Sequence, residues 1–294
     1  MLKTILLTGK TGQVGNELVA ALQPLGRVVA VGRDRMDLAQ PDSIISCIRE
    51  IRPDIIVNAA AYTAVDNAEA EPELAMKINA DAPGLMAEEA HRCGALLVHY
   101  STDYVFDGRA KIAYTEQDPP NPLSVYGRSK LAGETNIRAA NCRHLILRTS
   151  WIYADRGTNF LLTMLKLARE HPELAVVEDQ IGSPTWARAL AKATATTLDK
   201  ADRSGISGTY HLSADGHVSR FEFARKILDI ARQSSGIFDG WAEIKSCTTA
   251  QFPRPAERPL AAAMSQVKIL KELGVTMDHW TAQLRECMAL LKFQ

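Results

Sequence analysis

The first 150 residues of the chain alternate short apolar runs with longer segments whose apolar positions recur every three or four residues. Unbroken apolar runs are typical of parallel strands covered on both faces, and the three-to-four spacing is typical of amphipathic helices. Strands and helices that alternate in this way imply a doubly wound parallel sheet. The pattern predicts strands at residues 4–7, 27–31, 54–58, 95–100 and 144–148, and helices at 14–22, 41–51, 73–93 and from about 124.

Beyond residue 150 the alternation loosens. Open α/β sheets bind ligands at the carboxyl ends of their strands. We therefore expect a smaller α/β substrate-binding lobe, residues 151–294, to close over a sheet built by residues 1–150, although a chain of this kind can cross between lobes more than once. Helices are predicted near 158–170, 186–199, 220–235 and 278–292, with short extended pieces and a proline-rich stretch at 252–259 between them.

Composition narrows the class of protein. The 294 residues, 46% of them hydrophobic, suffice for a large core, and 34 basic against 34 acidic residues leave no charge excess for nucleic acid or a membrane surface. The apolar run at the start is too short for a signal peptide, and none approaches the ~20 residues of a membrane span. Five widely spaced cysteines without a CxxC pair fit a reducing compartment. We expect a cytoplasmic enzyme for a small molecule, with no nucleic-acid or membrane partner.

The glycine-rich stretch LLTGKTGQVG, residues 6–15, joins the first predicted strand to the first predicted helix. A triphosphate-binding Walker A loop would require another glycine at position 4, which is threonine. The spacing of Gly9, Gly12 and Gly15 instead predicts a Rossmann-type turn, in which backbone N–H groups and the positive end of the helix dipole bind a pyrophosphate. On this motif alone, an ordinary glycine-rich turn is the alternative.

Tyr126 and Lys130 are the strongest candidates for chemistry, because a Y-x-x-x-K spacing places both side chains on one helix face. A free phenol has a pKa of about 10, and a nearby cation lowers that value toward the range useful for proton transfer. Thr102 follows a predicted strand and would bring a hydroxyl to the same edge, where it can hydrogen-bond a carbonyl that is being reduced. A solvated helix face and a capped turn are the alternatives for the two motifs.

Six stretches together resemble a known family: GKTGQVG, RPDIIVNAAAYTAVDNAEAEPE, HYSTDYVFDG, VYGRSKLAGE, LRTSWIYA and DQIGSPT. On these stretches the chain resembles, over nearly its whole length, the dTDP-4-dehydrorhamnose reductases among the extended short-chain dehydrogenase/reductases. The resemblance implies that residues 1–150 bind NAD(P)H, which delivers hydride to C4 of dTDP-4-dehydro-L-rhamnose in the last step of dTDP-rhamnose synthesis.

The resemblance also implies a role for individual residues. Tyr126 would be the general acid, Lys130 would tune it and hold the nicotinamide ribose, and Thr102 would orient the 4-keto oxygen. The positions that match cofactor contacts are Gly12, Gln13 and Val14 at the pyrophosphate, Asp37 and Leu38 at the adenine, Ala61, Tyr62 and Thr63 under the cofactor, and Tyr100. The positions that match the substrate side are Asp103, Tyr104, Trp151 and Asn159.

Residue chemistry adds to these assignments. An aromatic such as Trp151 can form the wall of a sugar pocket, and Arg254 and Arg258 can pair with a nucleotide diphosphate, so we include Arg258 among the substrate-binding residues. A core aromatic and a solvated loop are the respective alternatives.

After the second strand, Arg33 favours NADPH because arginine accommodates the 2′-phosphate, whereas Asp34 leads us to expect some use of NADH.

The chain departs from the family at two places. Some members bind magnesium through glutamates at a dimer interface, but only Glu17 matches, and Arg188 stands at a second glutamate position. We therefore predict no metal site and leave monomer and homodimer open. The family stretch R-P-x-x-S-x-L lacks its serine at residues 258–264, so substrate contacts there are uncertain. The seven histidines have no ligand-like spacing and are interpreted as structural or surface residues.

Two other functions share these motifs. A sugar-nucleotide epimerase or dehydratase has the same glycine turn and Y-x-x-x-K pair but regenerates a tightly bound nicotinamide in each turnover. A non-catalytic, reductase-like regulatory subunit would have no need for the proton donor, and the presence of Thr102, Tyr126 and Lys130 argues against it.

Overall fold

The computed structural model describes residues 2–236 and 240–291. Its first half alternates strands and helices, as the hydrophobic pattern predicts. In chain order the elements are β1 (Thr4–Thr8), α1 (Gln13–Ala21), β2 (Arg27–Val31), α2 (Pro41–Ile51), β3 (Ile55–Asn58), α3 (Val65–Ala68), α4 (Pro72–Met76), α5 (Ala82–Cys93), β4 (Leu96–Thr102), α6 (Val125–Ala139) and β5 (His144–Thr149).

The second half contains four longer helices close to their predicted places and several short strands. The short helix α3 and a short helix at Val267–Leu273 were not predicted, and residue 292 of the predicted last helix lies outside the described residues. The elements are β6 (Ile152–Tyr153), α7 (Phe160–Glu170), β7 (Glu173–Val177), β8 (Ile181–Gly182), β9 (Thr185–Trp186), α8 (Ala187–Ser204), β10 (Gly208–His211), β11 (Val218–Ser219), α9 (Arg220–Ser235), β12 (Glu243–Cys247), α10 (Val267–Leu273) and α11 (Trp280–Met288).

A parallel sheet, six-stranded within the described residues, forms the centre of the molecule in the order β2-β1-β3-β4-β5-β10. The predicted α/β class with a doubly wound, Rossmann-type sheet is confirmed. Strand β1 pairs with β2 on one side and β3 on the other, so the direction of winding reverses there. Such a reversal leaves a crevice at the carboxyl ends of the strands, which is where open α/β sheets bind ligands.

The sixth strand comes from the second half of the chain. β10 pairs in parallel with β5, and the chain therefore returns to the central sheet after residue 150. The described helices α8 and α10 place Leu190 and Ile269 in the core on one face of this sheet. The division into lobes at residue 150 stays a prediction, since the sheet contains strands from both sides of it.

The apolar side chains of the strands pack into two hydrophobic cores, one on each face of the sheet. In β1, Ile5 and Leu7 pack into the core beneath α1 and α8, whereas Leu6 between them packs into the core beneath α2 and α5. Successive side chains of a strand point to opposite faces, so a strand covered on both sides is apolar throughout. A third core, around Tyr153 and Phe223, joins α7, α9 and α11, all from the second half of the chain.

The predicted helix at 73–93 is interrupted by a π-helical turn over Lys77–Asp81. Pro83, two residues after the end of this turn, has no amide hydrogen to continue the regular bonding pattern. The helix ends at Gly94, in the left-handed conformation expected of a terminal glycine (φ 73°). Asn79, in the π turn, donates to the Tyr62 carbonyl at 3.0 Å and accepts from its N–H at 2.9 Å, which fixes the loop after β3. No helix within residues 2–236 and 240–291 is long and apolar enough to cross a membrane.

Candidate active site

A cleft of about 870 Å³ opens at the carboxyl ends of the parallel strands and is lined by residues from both halves of the chain. It brings together the predicted residues Gly9, Gly12, Gln13, Val14, Arg33, Asp37, Leu38, Ala61, Tyr62, Thr63, Tyr100, Thr102, Asp103, Tyr104, Tyr126, Lys130, Trp151 and Asn159. Gly15 and Arg258, which were also predicted, do not belong to its lining. The roles of these residues stay predictions.

The glycine-rich turn approaches the neighbouring strand too closely for side chains. A Cβ on Gly9 would lie 2.7 Å from the Ala59 carbonyl oxygen, and Gly9 has a positive φ of 72°. A Cβ on Gly15 would lie 2.0 Å from the Gly9 carbonyl oxygen. Gly15 therefore lets α1 pack against the turn, and it shapes the cleft without lining it.

Helix α1 begins at the turn with its amide groups open to the cleft. Gly12 is the N-cap residue, and no side chain of the described residues caps this end of the helix. The uncapped N–H groups and the helix dipole make this terminus suitable for a phosphate group. The cleft runs from here between β2 and the loop after β3 toward α6, and its residues fit an extended dinucleotide.

The far end of the cleft lies beside the end of β2. Arg33 is exposed there, and Asp37 receives the Ala39 N–H on Oδ1 at 2.9 Å. Lys10 is half-buried, and its Cε lies 3.3 Å from where a Cβ on Gly32 would be. The side chain of Lys10 thus extends across toward the β2 end, near Arg33, which sequence reasoning did not anticipate.

Thr102 is the last residue of β4, which extends beyond its predicted end at residue 100 through pairing with Thr149. Its buried hydroxyl donates to Asp103 Oδ1 at 3.0 Å and accepts the Tyr104 N–H at 3.2 Å. Ser150 Oγ donates to the other Asp103 oxygen at 3.0 Å. Burial nevertheless raises the pKa of Asp103 to about 6, and both hydrogen bonds oppose that shift.

Tyr126 lies in the first turn of α6, which Ser124 caps by accepting the Gly127 N–H at 3.1 Å. Its ring meets the ring of Tyr104 edge to face, with centroids 5.5 Å apart. Burial raises the pKa of Tyr126, a hydrogen bond with Thr102 opposes the shift, and Asp103 adds to it. Lys130 is not among the groups that shift this pKa, and the expectation that Lys130 tunes Tyr126 stays a prediction.

Lys130 lies one turn further along α6 and is 2% exposed. Its Nζ donates to the Tyr100 carbonyl at 2.7 Å and lies 3.1 Å from His99 Nε2. Burial lowers the pKa of Lys130 to about 8, against a smaller opposing effect of Glu134. Sequence reasoning placed Lys130 in the site but did not find the contact with His99.

Trp151 and Arg220, both from the second half of the chain, form one wall of the cleft. Trp151 has a φ of 45°, a strained conformation for a bulky residue and one that is often found at functional sites. Burial lowers the pKa of Arg220, and the nearby Tyr104 and Asp103 oppose that shift. Sequence reasoning missed Arg220, although a cation at the first position of a helix opposes the helix dipole and could have served as a signal.

Asn159 reaches the cleft, but its polar atoms already have partners in the protein. Its Oδ1 accepts the Leu162 N–H at 3.1 Å and caps α7. Its Nδ2 donates to Gln13 Oε1 and the Ala154 carbonyl, both at 2.9 Å, and lies 3.1 Å from the Arg156 carbonyl. The amide thus joins Gln13, at the start of α1, to the start of α7.

Arg258 lies beyond Tyr104, outside the cleft lining. Its guanidinium donates to Asp66 Oδ2 at 2.9 Å and to the Ala256 carbonyl at 2.9 Å. Tyr104 also interacts with it and contributes to a raised pKa of Arg258, against the lowering effect of burial. Arg254, in the same loop, stacks on Phe252 at 4.6 Å.

The described residues do not fit a magnesium site. Both carboxylate oxygens of Glu17 are in ion pairs, with Arg156 at 2.7 Å and Arg188 at 2.8 Å. Residues 2–236 and 240–291 contain no cluster of three or more His, Cys, Asp or Glu side chains that could hold a metal ion.

Known proteins match this chain in sequence over nearly its whole length. A family model described as the RmlD substrate binding domain matches residues 3–293. The chain is 42% identical over 289 residues to the dTDP-4-dehydrorhamnose reductase of Escherichia coli (strain K12), covering 97% of this chain and 96% of the relative.

Two solved structures extend the comparison. A crystal structure of dTDP-4-dehydrorhamnose reductase from Bacillus anthracis in complex with NADP has a TM-score of 0.90 and 34% identity, and covers 99% of this chain and 100% of that one. The UDP-glucose 4-epimerase of Thermus thermophilus in complex with NAD has a TM-score of 0.81 and 19% identity, covering 97% and 98%. At 19% identity the likeness shows the fold alone.

Proposed function

Because the chain belongs to the RmlD substrate binding domain family, and is similar over nearly its full length to named dTDP-4-dehydrorhamnose reductases, we propose that it catalyses that reduction. The enzyme is an oxidoreductase that reduces the C4 keto group of dTDP-4-dehydro-L-rhamnose to give dTDP-L-rhamnose. This reaction ends the biosynthesis of dTDP-rhamnose, and NADPH or NADH is the co-substrate.

One observation carries the proposal: the half-buried phenol of Tyr126 lies in the same cleft as an uncapped helix N-terminus. Burial keeps the proton on Tyr126, and Thr102 lies beside it at the end of β4. A carbonyl reduction needs a group that gives a proton to the developing alkoxide, and a buried phenol can do so. Tyr126 donates its proton to the C4 oxygen, and Thr102 orients that oxygen.

The chain offers a place for each part of a nicotinamide dinucleotide. When bound, NADPH supplies the hydride. The open end of α1 would hold the pyrophosphate, Tyr62 and its neighbours would contact the cofactor, and Lys130 would hold the nicotinamide ribose. Arg33 favours NADPH, with Lys10 as a second cation on the same side.

The sugar nucleotide binds against the second lobe. Trp151 provides an apolar wall for the sugar, and the guanidinium stacked on it, that of Arg220, gives a positive charge for the diphosphate. Asp103 and Tyr104 complete the side of the pocket next to Tyr126. Arg258 contributes through Tyr104, since its own guanidinium is engaged with Asp66.

No observation favours an epimerase, a dehydratase or a regulatory subunit. The likeness to an epimerase is confined to the fold, whereas the likeness to reductases includes the sequence. A regulatory subunit would not need a phenol held in its acid form inside a cofactor-sized cleft.

The free thiols of all five cysteines fit activity in the reducing cytoplasm.

The test is the loss of nicotinamide absorbance when the purified protein meets dTDP-4-dehydro-L-rhamnose, made in situ from dTDP-glucose, with NADPH and NADH in parallel. Oxidation that depends on the sugar nucleotide and yields dTDP-L-rhamnose supports the proposal. Cofactor that co-purifies and returns unchanged after each turnover points to an epimerase or dehydratase. Binding of both cofactors without oxidation overturns the assigned substrate.

A further inference from the structure

One face of α6 carries a buried acidic residue that the proposed mechanism does not use. Tyr126, Lys130 and Glu134 follow one another at intervals of four residues, so their side chains share that face. The first two line the cleft, whereas Glu134 lies outside its lining and is 0% exposed. An ionised carboxylate loses its hydration when it is buried, so its place one turn beyond Lys130 needs a physical reason.

Four hydrogen bonds hold Glu134 in place and in its charged form. Arg148 donates from Nε to Oε1 at 2.8 Å and from Nη2 to Oε2 at 2.7 Å. Ser101 Oγ donates to Oε1 at 2.6 Å, and Arg138 Nη1 donates to Oε2 at 3.2 Å. Burial raises the pKa of Glu134, but the bonds and charges of these partners outweigh burial and keep the pKa below its ordinary value. The group is therefore a carboxylate.

The partners of Glu134 belong to strands that end at the cleft. Ser101 and Arg148 are paired positions of β4 and β5. Thr102, which follows Ser101 directly, lines the cleft. Because Glu134 joins α6 to both strands at this level, its negative charge is fixed relative to the groups of the site. Within α6, the cleft residue closest in sequence to that charge is Lys130.

Lys130 has two polar contacts, and neither brings a negative charge. Its Nζ donates to the Tyr100 carbonyl at 2.7 Å and lies 3.1 Å from His99 Nε2. Burial lowers the pKa of His99 well below its ordinary value, and Lys130 adds to that effect, so the imidazole is neutral. Burial also lowers the pKa of Lys130, to about 8, and the charge of Glu134 opposes that shift. Without an opposing charge, a buried ammonium loses its proton more easily.

We propose that Glu134 is a positioning residue for the reaction proposed above, and that it supplies the counter-charge that keeps the buried amine of Lys130 in its ammonium form at neutral pH. Arg148 and Ser101 hold that counter-charge in place. The carboxylate acts from one helical turn away, because its own ion pairs are with Arg148 and Arg138. A direct contact would occupy a donor of Lys130, whereas this arrangement leaves the third N–H of the ammonium free for a cofactor ribose.

The other titratable and charged groups around Lys130 do not replace Glu134. Those nearest to it in the fold are Tyr126 on α6, His99 and Tyr100 on β4, Asp103 and Tyr104 after β4, and Arg148 on β5. The exposed ones on elements packed against α6 are Glu73, Lys77, Asp81, Glu88, His91 and Arg92. Asp66 and Glu89, on the same elements, are paired with Arg258 and Arg49. Among these groups, the pKa of Lys130 responds to the charge of Glu134.

The value of an ammonium at this place rests on the proposed function. Lys130 would hold the nicotinamide ribose, and a charged donor forms a stronger hydrogen bond than a neutral one. A neutral amine has two N–H groups and no charge, so it would bind the ribose less well. The loss of the Glu134 charge should therefore weaken cofactor binding near pH 8, where Lys130 is at its midpoint, and hardly at all at pH 6.

Nuclear magnetic resonance of the cofactor-free protein tests the inference. The ¹³Cε shift of Lys130, assigned by its loss in Lys130→Met, follows the charge of the amine, and we expect a midpoint of about pH 8 in the unsubstituted protein. In Glu134→Gln the midpoint should fall by about half a pH unit or more, which is about a threefold loss of proton affinity. A folded Glu134→Gln protein whose midpoint is unchanged or higher overturns the inference.

Glu89→Gln is the matched control. Glu89 is also a buried glutamate, 5% exposed, and it is bound by Arg49 at 2.9 Å and Arg92 at 3.2 Å. It lies on α5, which packs against α6. Its substitution should lower stability and leave the Lys130 midpoint unchanged. Equal shifts in the two variants overturn the inference, because a loosened fold and not the charge of Glu134 would then move the titration.

Glu134→Gln leaves the buried guanidinium of Arg148 without its carboxylate, which is costly for the fold. The double variant Glu134→Gln, Arg148→Met removes both charges, and its Lys130 midpoint should also fall. If neither variant folds, the unsubstituted protein decides. The ¹³Cδ shift of Glu134 should then show no titration between about pH 5 and about pH 9, above the ordinary glutamate pKa of about 4.3. A Glu134 that takes up a proton in that range overturns the inference.

NADPH binding, followed by fluorescence, adds a functional readout. We expect the Kd of Glu134→Gln to be about twofold or more higher than that of the unsubstituted protein at pH 8 and equal to it at pH 6. Glu89→Gln should match the unsubstituted protein at both values. An increase in Kd that is as large at pH 6 as at pH 8 contradicts a role through the charge of Lys130.

The titrations contain no substrate and no cofactor. An unchanged Lys130 midpoint would leave the proposed reductase activity intact. A protein that fails to reduce the sugar nucleotide could still show the shift of the Lys130 midpoint, so the two failures are distinguishable.

Discussion

The guanidinium of Arg220 lies 3.6 Å from the ring centroid of Trp151. The two residues come from different elements, the segment after β5 and the start of α9, and each departs from a local rule. Trp151 has a positive φ, and Arg220 places a cation at a helix N-terminus. When two locally unfavourable features, a positive φ and a cation at a helix N-terminus, meet in one contact within a cleft, they indicate a binding role.

Arg220→Lys should weaken the binding of the sugar nucleotide. Lysine keeps the charge but lacks the planar group that stacks on Trp151 and forms paired hydrogen bonds with a phosphate. We expect the KM for the sugar nucleotide to rise about tenfold with little change in kcat. Arg225→Lys is the control, since Arg225 is exposed on the same helix and also faces an aromatic ring, that of Phe221. Equal effects of the two substitutions would contradict a role for Arg220.

Tyr126→Phe should remove the proton donor and leave the cleft in place. We expect turnover to fall by about 10²–10⁴-fold, the usual scale for a general acid, while NADPH binding measured by fluorescence stays the same. Tyr210→Phe is the control, because the hydroxyl of Tyr210, on β10, donates to Glu272 on α10 at 2.6 Å and does not line the cleft. Near-normal turnover of Tyr126→Phe would refute the assignment.

Arg33→Ala should raise the KM for NADPH more than the KM for NADH. The guanidinium at the end of β2 would otherwise pair with the 2′-phosphate, which NADH lacks. A charge-assisted hydrogen bond of about 1.5–3 kcal/mol corresponds to a loss of about tenfold or more. Arg35→Ala, two residues further on and paired with Glu50 at 2.7 Å, should change neither value. If Arg33→Ala weakens both cofactors equally, the predicted preference for NADPH loses its basis.

Asp103→Asn should stabilise the protein at neutral pH. The folded carboxyl has a pKa of about 6, above the ordinary 3.8, so the folded state binds more protons between these values and stability falls as the pH rises. The loss of folding free energy that comes from ionising Asp103 is on the order of 3 kcal/mol. It is absent below about pH 3.8 and complete above about pH 6. Thermal unfolding at pH 4 and pH 7 should show a gain for Asp103→Asn only at pH 7.

Asp107→Asn is the opposite case and serves as the control for that experiment. Hydrogen bonds from Tyr114 and Asn121 lower the pKa of Asp107, so its ionised form stabilises the fold. This variant should lose stability at pH 7 relative to the natural protein. The same sign for both substitutions would show that the pH dependence comes from elsewhere.

Asn159→Ala should reduce stability, because it removes the cap of α7 and the bond to Gln13 together. We expect the free energy of unfolding to fall by about 1–2 kcal/mol in a urea titration. Asn159→Asp keeps the capping oxygen and loses the Nδ2 donors, so its loss should be smaller if the cap dominates. A normal unfolding curve for Asn159→Ala, with a raised KM for the sugar nucleotide, would instead support a direct substrate contact.

Local pattern was enough to predict the first five strands of the sheet. Strands such as β1 and β3 are unbroken apolar runs, and helix ends such as Gly94 have a residue type with a physical reason for that place. Strand β10 could not be found in this way. Its four residues, Gly-Thr-Tyr-His, form no apolar run, and it is a strand because the edge of β5 binds it.

The candidate site shows the same division between local and long-range information. The glycine turn and the Tyr126–Lys130 spacing are local, so they could be identified. The partner of Lys130 could not, because His99 looks like any residue of a buried strand until β1, β3 and β4 are aligned and Asn58 comes to lie beside it. Arg220 needs the same kind of long-range contact to become meaningful.

The position of β10 determines when this chain can finish folding during synthesis. A ribosome releases the N-terminal residues first, so β1–β5 emerge well before the strand that covers the edge of β5. One face of those strands is also covered only when the apolar residues of α8 and α10 have been synthesised, and α10 ends at Leu273. A nascent chain that stalls near residue 200 therefore carries an open strand edge and an uncovered apolar face, two features that favour aggregation.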